Sequence, residues 1–471
     1  MLGFKYYLLF NNNIKKIKFI LGTSLHDKKT IEGKSNERYR RILLTGITTG
    51  LVKVVSVLIN LFTVPLTLKY LGSERYGLWM SISSILALLS FADLGLGNGL
   101  LNTIAQASAR NKVKEAKIAV SSTFYLLLFI STCLFIFFIL IFNQINWISV
   151  FNVKSELAKI ESGRTMFVLV TILLINMPLG IVQRIQEGYQ EGYRFQIWLI
   201  LGSLLSLLFL VISIYFKLGL PILVFSLSIG PILSTFLNAI EMFKNKRRLI
   251  FPSWRYFDFK IGKKLIKSGL AFLLLGIFTL IGNSSDDIII AHTLGSSDVA
   301  AYEVVKKIFL FSMFTQFLIQ PLWPAFAEAI EIGDINWAKK TLNKGFKLSL
   351  IFGGLLSIPL VIFGKSIILF WVGPDYVPSY SLLFGFFVFV LTANYGGVMS
   401  TFLNSGPLLA KQTIMIGLAA CTSLILKVIL SKYFGISAII WSTVIGYSIF
   451  YIFPSYKLAY NYLNKKNEKI N

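Results

Sequence analysis

The chain has 471 residues, of which 55% are hydrophobic and 14% are charged, and its mean hydropathy is +0.71. Soluble domains carry about 25% charged residues, so this composition excludes an ordinary soluble protein and also a polar, disordered one. The 46 basic residues far exceed the 21 acidic ones, but they lie between long apolar runs and not on a soluble module, which argues against nucleic-acid binding.

Residues that carry common enzyme chemistry are scarce. The only cysteines, Cys133 and Cys421, both lie in apolar runs, which predicts two packed thiols and excludes a disulfide scaffold. There are two histidines, and the motifs CxxC, HExxH and GxxxxGK[ST] are absent. We therefore expect no catalytic residues, no metal site, no cofactor and no ATP hydrolysis by this chain.

The chain begins with a basic segment, residues 1–41, that resembles neither a signal peptide nor a membrane span and predicts a basic tail. Twelve apolar stretches follow, each about long enough for a membrane-spanning helix. They lie at roughly 43–68, 76–105, 118–142, 165–187, 195–216, 219–241, 268–292, 299–326, 348–370, 379–403, 411–431 and 434–456. The predicted fold is an all-α polytopic membrane protein with about twelve transmembrane helices.

The basic residues also predict the orientation of these helices. With a cytoplasmic N-terminus, 34 of the 46 Lys and Arg residues fall in inside segments and 8 fall in outside loops. Because cytoplasmic loops carry an excess of Lys and Arg, both termini are predicted to face the cytoplasm. This distribution accounts for the high net charge without a nucleic-acid partner.

The chain has two similar halves. The motif Leu-Gly-Ser follows the first span at 71–73 and the seventh span at 294–296. The motif Ala-Lys begins 45 residues after the first of these leucines, at 116–117, and 44 residues after the second, at 338–339. We predict five segments: a tail at 1–41, an N-lobe at 42–242, a basic linker at 243–267, a C-lobe at 268–458 and a basic C-terminal tail at 459–471. Two parallel six-helix bundles of this kind are typical of transporters with a central cavity and a rocking motion.

Ionisable residues inside a bilayer usually face a protein interior or a water-filled cavity. In the first half, Lys53 and Asp93 lie at similar depths in the membrane and could form an ion pair. Lys53 is a candidate for binding the substrate and Asp93 for ion coupling; alternatively, the two form a purely structural ion pair. Gly95 and Gly97 follow Asp93 and predict a helix kink or a close helix approach. Arg184, near the cytoplasmic end of the fourth span, is a candidate for binding an anionic group or part of a solvated cluster.

The second half has its own ionisable residues. Asp287 is an ion-coupling candidate next to Asp286, with possible oxygen ligands at Asn283 and Ser284. Glu303 and Lys307 are expected to pair four residues apart, which would leave Lys306 to bind an anionic headgroup. Lys427 is expected to extend toward the outer membrane surface, and Pro321 and Pro324 are helix-kink candidates.

Five runs of the sequence, taken together, resemble one known family. They are YLGSERYGLW (70–79), FADLGLGNGL (91–100), QRIQEGYQEG (183–192), DDIIIAHTLGSSDVAAYEVVKK (286–307) and QPLWPAFAEA (320–329). In order and spacing they are similar to the polysaccharide-biosynthesis exporters of the multidrug/oligosaccharidyl-lipid/polysaccharide (MOP) superfamily, most of all to the O-antigen flippase type. The resemblance covers about residues 42–460.

This resemblance implies two six-helix bundles around a central cavity, and a function. The chain would move an undecaprenyl-diphosphate-linked oligosaccharide across the bacterial inner membrane by alternating access. Its partners would be this lipid, membrane lipids, a coupling H⁺ or Na⁺, and polysaccharide polymerase and chain-length proteins. A cation-coupled multidrug antiporter of the same superfamily and a membrane O-antigen polymerase are the alternatives. Basic residues within the helices favour an anionic substrate over a cationic drug, and the short outer loops argue against a polymerase.

Overall fold

In a computed structural model of the chain, the described residues are 31–89, 93–151, 153–294, 296–310, 312, 316 and 319–468, and these contain helices and turns but no β-strand. Up to residue 257, the described residues form the helices α1 (Ile31–Leu89), α2 (Leu96–Ala109), α3 (Val113–Phe142), α4 (Trp147–Phe151), α5 (Glu156–Leu179), α6 (Ile181–Gly188), α7 (Gly192–Tyr215) and α8 (Leu220–Glu241). After residue 257, they form α9 (Phe259–Thr293), α10 (Ser296–Leu310), α11 (Leu322–Glu331), α12 (Ile335–Val372), α13 (Tyr380–Asn404), α14 (Leu409–Phe434), α15 (Ser437–Tyr447) and α16 (Phe453–Glu468).

The helical membrane fold is confirmed. Ten helical stretches of the described residues are long and apolar enough to cross a bilayer, and each overlaps one of the twelve predicted spans. The two predicted spans without such a helix are 76–105 and 299–326, and each is the second span of its half. Of the predicted tail, residues 1–30 lie outside the described residues, whereas 31–41 form the first turns of α1.

Glycine explains two of the interruptions in these helices. Gly72 has φ 76° and ψ 168° inside α1, a backbone conformation that residues with a Cβ rarely adopt, and α1 bends there. Gly95 has φ 69° directly before α2, and a Cβ at this position would collide with the backbone of Gly269 on α9. Only glycine therefore fits both the turn and the close approach of α2 to α9.

Contacts divide the chain into two compact units. The first comprises residues 1–90 and 113–257, and the second comprises 91–112 and 258–471. The segment 91–112, which contains α2, thus packs with the second unit, although it precedes the predicted linker. The predicted lobes and tails stay a prediction.

Close helix packing and an ion pair with a buried carboxylate join helices of the first unit. A Cβ at Gly230 on α8 would collide with the backbone of Gly202 on α7, so glycine lets these two helices touch. Arg75 forms two hydrogen bonds to Glu161, at 2.6 and 2.7 Å, and Glu161 also accepts the backbone N–H of Leu220 at 2.9 Å. This one carboxylate therefore joins α1, α5 and α8.

The second unit has an aromatic core between α10 and α13. Tyr302, Phe309 and Phe386 are fully buried. The centroid of the Phe386 ring lies 5.2 Å from that of Tyr302 and 5.6 Å from that of Phe309. This core surrounds the buried charges described below.

The two cysteines differ from the prediction of packed thiols. Cys133 on α3 and Cys421 on α14 are both free and exposed. In an apolar helix of a membrane protein, an exposed position is one that lipid can cover, so apolar sequence around a cysteine does not distinguish packing against protein from contact with lipid.

Candidate functional site

A buried ion pair lies in the second unit. Lys427 on α14 has no exposed surface, and its Nζ lies 2.5 Å from Oδ1 of Asp286 on α9. The same ammonium donates to the Gly282 carbonyl at 2.8 Å and lies 3.3 Å from the Ser285 hydroxyl. The second carboxylate oxygen of Asp286 accepts the Tyr302 hydroxyl at 2.7 Å. The expectation that Lys427 extends to the membrane surface is therefore wrong, because oxygen atoms of α9 surround its ammonium inside the bundle.

Next to this pair, α10 carries a second charged pair. Tyr302, Val305 and Phe309 form its buried face, and Lys306 flanks this face. Lys306 Nζ lies 2.5 Å from Glu303, whereas Lys307 is exposed. The predicted Glu303–Lys307 pair and the predicted unpaired Lys306 are both wrong, because the rotation of α10 turns Lys307 away from the core.

Asp287 completes a cluster of charges with one carboxylate in excess. It interacts electrostatically with Lys306, Glu303 and Asp286, and no group in the described residues donates a hydrogen bond to its buried Oδ1. Three carboxylates thus face two ammonium groups, and one proton or one monovalent cation would make the cluster neutral. The side chains of Asn283 and Ser284, named above as ligands, lie outside the described residues.

A cavity of about 210 Å³ opens onto this cluster. Its polar lining comes from Asp286, Tyr302, Lys306 and Thr443, and the rest is apolar and aromatic, with Phe309 among it. The cavity therefore leaves room for water beside Asp286 and Lys306, the two charged residues that line it.

The second spans of both halves are interrupted, and their later parts pack against each other in the second unit. These parts are α2 and α11. Asn102 on α2 accepts the indole N–H of Trp323 at 2.8 Å and donates to the Asn404 carbonyl at 2.6 Å. Arg110 and Glu331 pair at the C-terminal ends of the two helices. Interrupted helices at corresponding positions of two repeats are typical of transporter binding sites.

The predicted kink residues lie at or beside these interruptions. Pro321 directly precedes α11, and Pro324 lies in its first turn, where a missing backbone N–H costs no hydrogen bond. Gly95 directly precedes α2, and Gly97 is buried within it.

Asp93 has a local structural role at the start of α2. Its side chain accepts the backbone N–H of Gly95 at 2.9 Å, and its carbonyl accepts that of Leu96 at 3.0 Å. A carboxylate is well placed there, because the first N–H groups of a helix lack partners and carry partial positive charge.

The two remaining predicted cations, Lys53 and Arg184, lie in the first unit. Lys53 is exposed on α1. Because Asp93 belongs to the second unit, the predicted Lys53–Asp93 pair stays a prediction. Arg184 on α6 lies 3.1 Å from Glu187, which also accepts a hydrogen bond from Gln183 at 2.8 Å. Within the described part of the chain, no three His, Cys, Asp or Glu residues group as metal ligands would.

Sequence reasoning missed Tyr302, Asn102 and the burial of Lys427. Tyr302 lies four residues before Lys306 and could have been placed on the same helix face. The partners of Asn102 and Lys427 are far away in the sequence, so no local pattern could have revealed them.

The sequence profile of the polysaccharide biosynthesis protein family matches residues 43–330. The chain belongs to this family. Relatives named for O-antigen transport or export are similar over much of the chain. A Salmonella typhi protein named as an O-antigen transporter is 26% identical over 90% of this chain and 98% of its own length. A Yersinia pseudotuberculosis protein named as an O-antigen export protein is 27% identical over 59% of this chain and 63% of its own.

Solved structures show that this family member has the fold of MOP-superfamily transporters. A multidrug resistance MATE transporter of that superfamily, in an outward-facing conformation, matches with a TM-score of 0.75 at 15% identity, over 92% of this chain and 97% of its own. A MOP-superfamily transporter from Pyrococcus furiosus, described as having a binding pocket of reverse polarity, matches with a TM-score of 0.76 at 15% identity. The match covers 96% of this chain and 98% of that transporter. The chain is therefore a multi-pass membrane protein with a transporter fold.

Proposed function

We propose that this protein is a flippase for an undecaprenyl-diphosphate-linked oligosaccharide in the bacterial cytoplasmic membrane. The observation that carries the proposal is the similarity to an O-antigen transporter over 90% of this chain and 98% of that relative, within a polysaccharide biosynthesis family. We propose further that both termini face the cytoplasm, where the substrate would be loaded. A polymerase and a chain-length protein would act on the flipped product.

The physical task fits an alternating-access fold. An oligosaccharide on a diphosphate cannot cross hydrocarbon unaided, because each unpaired polar group costs several kcal/mol to bury. A polar cavity removes this barrier, and the polyprenyl tail can stay in the lipid. Exposed Lys53 and half-buried Arg184 are the proposed diphosphate contacts, since charge-assisted hydrogen bonds to phosphate are strong. Lys306 is assigned instead to the coupling cluster, because it pairs with Glu303 and lines the same cavity as Asp286.

Asp287 is the proposed coupling residue. A ligand shifts a conformational equilibrium only if it binds the two states with different affinity. Binding of H⁺ or Na⁺ at Asp287 would neutralise the excess carboxylate beside Lys306 and Glu303, next to a cavity that Asp286 and Lys306 line. Asp93 is the second candidate, although its contact with the Gly95 N–H supports a structural role.

The proposed transport is tested in proteoliposomes that contain a fluorescent undecaprenyl-diphosphate oligosaccharide. We expect the native protein to expose the sugar to an enzyme on the opposite side, and Lys53→Glu to lose most of this activity. Lys53→Arg should retain more activity than Lys53→Glu, because charge sign matters most at an anion site. If empty liposomes and liposomes with the native protein expose the sugar equally, the flippase proposal is wrong.

The proposed coupling is tested with imposed H⁺ or Na⁺ gradients. One of these gradients should accelerate flipping by the native protein and by Asp93→Asn, but not by Asp287→Asn. Asp93→Asn is a matched control, because its side-chain oxygen can still accept the Gly95 N–H while the charge is removed. A normal gradient response in Asp287→Asn would refute coupling at this residue without affecting the flippase proposal.

A cation-coupled multidrug antiporter is the less favoured alternative, although the matched solved structures include a multidrug resistance MATE family transporter. Similarity at 15% identity concerns the fold alone, whereas the relatives with greater sequence identity are named for O-antigen transport or export. Efflux of cationic dyes from cells that produce the protein would favour the antiporter.

A further inference from the structure

A large pocket lies in the first unit, beside the end of α8 that leads into the linker. It has a volume of about 820 Å³ and is lined by α3, α5, α6, α8 and the turns after α8. Most lining side chains are apolar, for example Tyr125, Val182 and Phe236, and the two charged ones are Lys244 and Arg248. The pocket is thus an apolar chamber with two cations on one side.

The chain builds this pocket with defined contacts. Pro178 and Gly180 lie where α5 ends and α6 begins, which shapes one wall. After α8 the chain makes a π-helical turn at Met242–Lys246 and a 3₁₀ turn at Arg248–Ile250. It then returns to α3, where the Ser253 N–H donates to the Ser121 hydroxyl at 3.1 Å.

An aromatic contact adds to this attachment. The Trp254 ring lies edge-on against Tyr125, with centroids 4.9 Å apart. A hydrogen bond and a ring contact therefore both hold the turns after α8 against α3, so specific contacts fix this wall of the pocket.

The two cations of the pocket are available to bind an anion. Lys244 and Arg248 are exposed, and no carboxylate of the described residues lies within ion-pair distance of either. Their neighbour Arg247 differs, because it lies 3.0 Å from Glu191 and 3.7 Å from the centre of the Tyr189 ring. The chain thus neutralises one basic residue of this turn and leaves the two that line the pocket.

The same turns carry exposed apolar side chains typical of a membrane surface. Leu249 is 71% exposed and Trp254 is 68% exposed, next to the basic residues. Tryptophan beside Lys and Arg is enriched where hydrocarbon meets the headgroups. At such a boundary the cations would lie at the depth of the lipid phosphates and the apolar walls at the depth of the acyl chains.

We propose that this pocket binds one anionic phospholipid of the adjacent leaflet. Its phosphate contacts Lys244 and Arg248, and its acyl chains lie against the apolar walls. Basic pockets between transmembrane helices on the cytoplasmic side are known to suit anionic lipid headgroups. A transported lipid is a poorer match, because every wall belongs to one unit, and a rocking motion between two bundles would not change access to such a pocket.

Lipid titration of the purified full-length protein tests the proposal. The probes are phosphatidylglycerol and phosphatidylcholine with identical acyl chains, and bound lipid is counted by native mass spectrometry. We expect one phosphatidylglycerol to bind in preference to phosphatidylcholine. Lys244→Gln/Arg248→Gln should weaken phosphatidylglycerol binding about 30-fold, at about 1 kcal/mol for each basic residue near the membrane surface.

A charge-matched control is Lys260→Gln/Lys264→Gln, which removes two exposed cations of α9, the next α-helix along the sequence, that do not line the pocket. Ala239→Trp would fill the apolar chamber and should weaken binding while both cations remain. Equal phosphatidylglycerol affinity in the two double variants would overturn the proposal. A second result would also overturn it: the native protein binds undecaprenyl phosphate more tightly than phosphatidylglycerol, and Lys244→Gln/Arg248→Gln abolishes the binding of undecaprenyl phosphate. The pocket would then serve the substrate. Neither result depends on a flipping assay.

Discussion

Removal of the Lys427 ammonium should destabilise the protein strongly. In Lys427→Met the helix keeps a long apolar side chain, but Asp286 loses its counter-ion and, among the described residues, keeps only the Tyr302 hydroxyl as a donor. Removing one partner of a buried ion pair costs about 3–5 kcal/mol. An independent value is the cost of an Asp at the centre of a transmembrane helix, about 2.5–3.5 kcal/mol. Both estimates are a large part of a total stability of about 5–15 kcal/mol.

The assay is denaturant titration in detergent micelles, which gives the free energy of unfolding. Lys432→Met is the matched control, because Lys432 lies on the same helix and is exposed, and its loss should change stability by no more than about 0.5 kcal/mol. The double variant Lys427→Met/Asp286→Asn should recover more than half of the loss, because it removes both members of the buried pair and returns the net charge of the cluster to its native value. If Lys427→Met is as stable as Lys432→Met, or if the double variant recovers nothing, the reasoning from an uncompensated buried charge is wrong.

Three further predictions concern the first unit and the topology. Glu161→Ala should lower the free energy of unfolding by about 3 kcal/mol or more, because it leaves Arg75 and a backbone N–H without a partner, and thermal unfolding checks this. Backbone hydrogen bonds from Lys154 and Ser155 lower the pKa of Glu74 below its ordinary value of 4.5. The native protein should therefore exceed Glu74→Gln in stability above pH 4.5, and the difference should shrink as the pH falls further and the native carboxylate takes up a proton; a constant difference in a pH series would contradict this. In a background without the two native cysteines, a cysteine at exposed Gln144 should react with an impermeant thiol reagent from outside the cell, and one at exposed Asn245 should not; the reverse pattern would refute the orientation.

The interruptions directly before α2 and α11 illustrate what local sequence can and cannot predict. Gly95 and Pro321 are strong signals, since one permits a positive φ and the other lacks a backbone N–H, and both lie where a helix begins. The role of Asn102 had no such signal. It depends on Trp323 and Asn404, both more than 200 residues away, and only folding brings these groups together.

The sequence by itself determined the membrane class, most of the spans and the family, because hydrophobic length and short motifs are local properties of the chain. Tertiary structure alone decided the pairing of charges. Lys306 and Lys307 are adjacent and both can reach Glu303, but burial of the α10 face through Tyr302 and Val305 selects Lys306. Lys427 lies near the end of an apolar helix, where extension to the surface is a reasonable expectation. It is buried instead because Asp286 and the oxygen atoms of α9 face it in the folded bundle, and a buried ammonium is stable only with such partners.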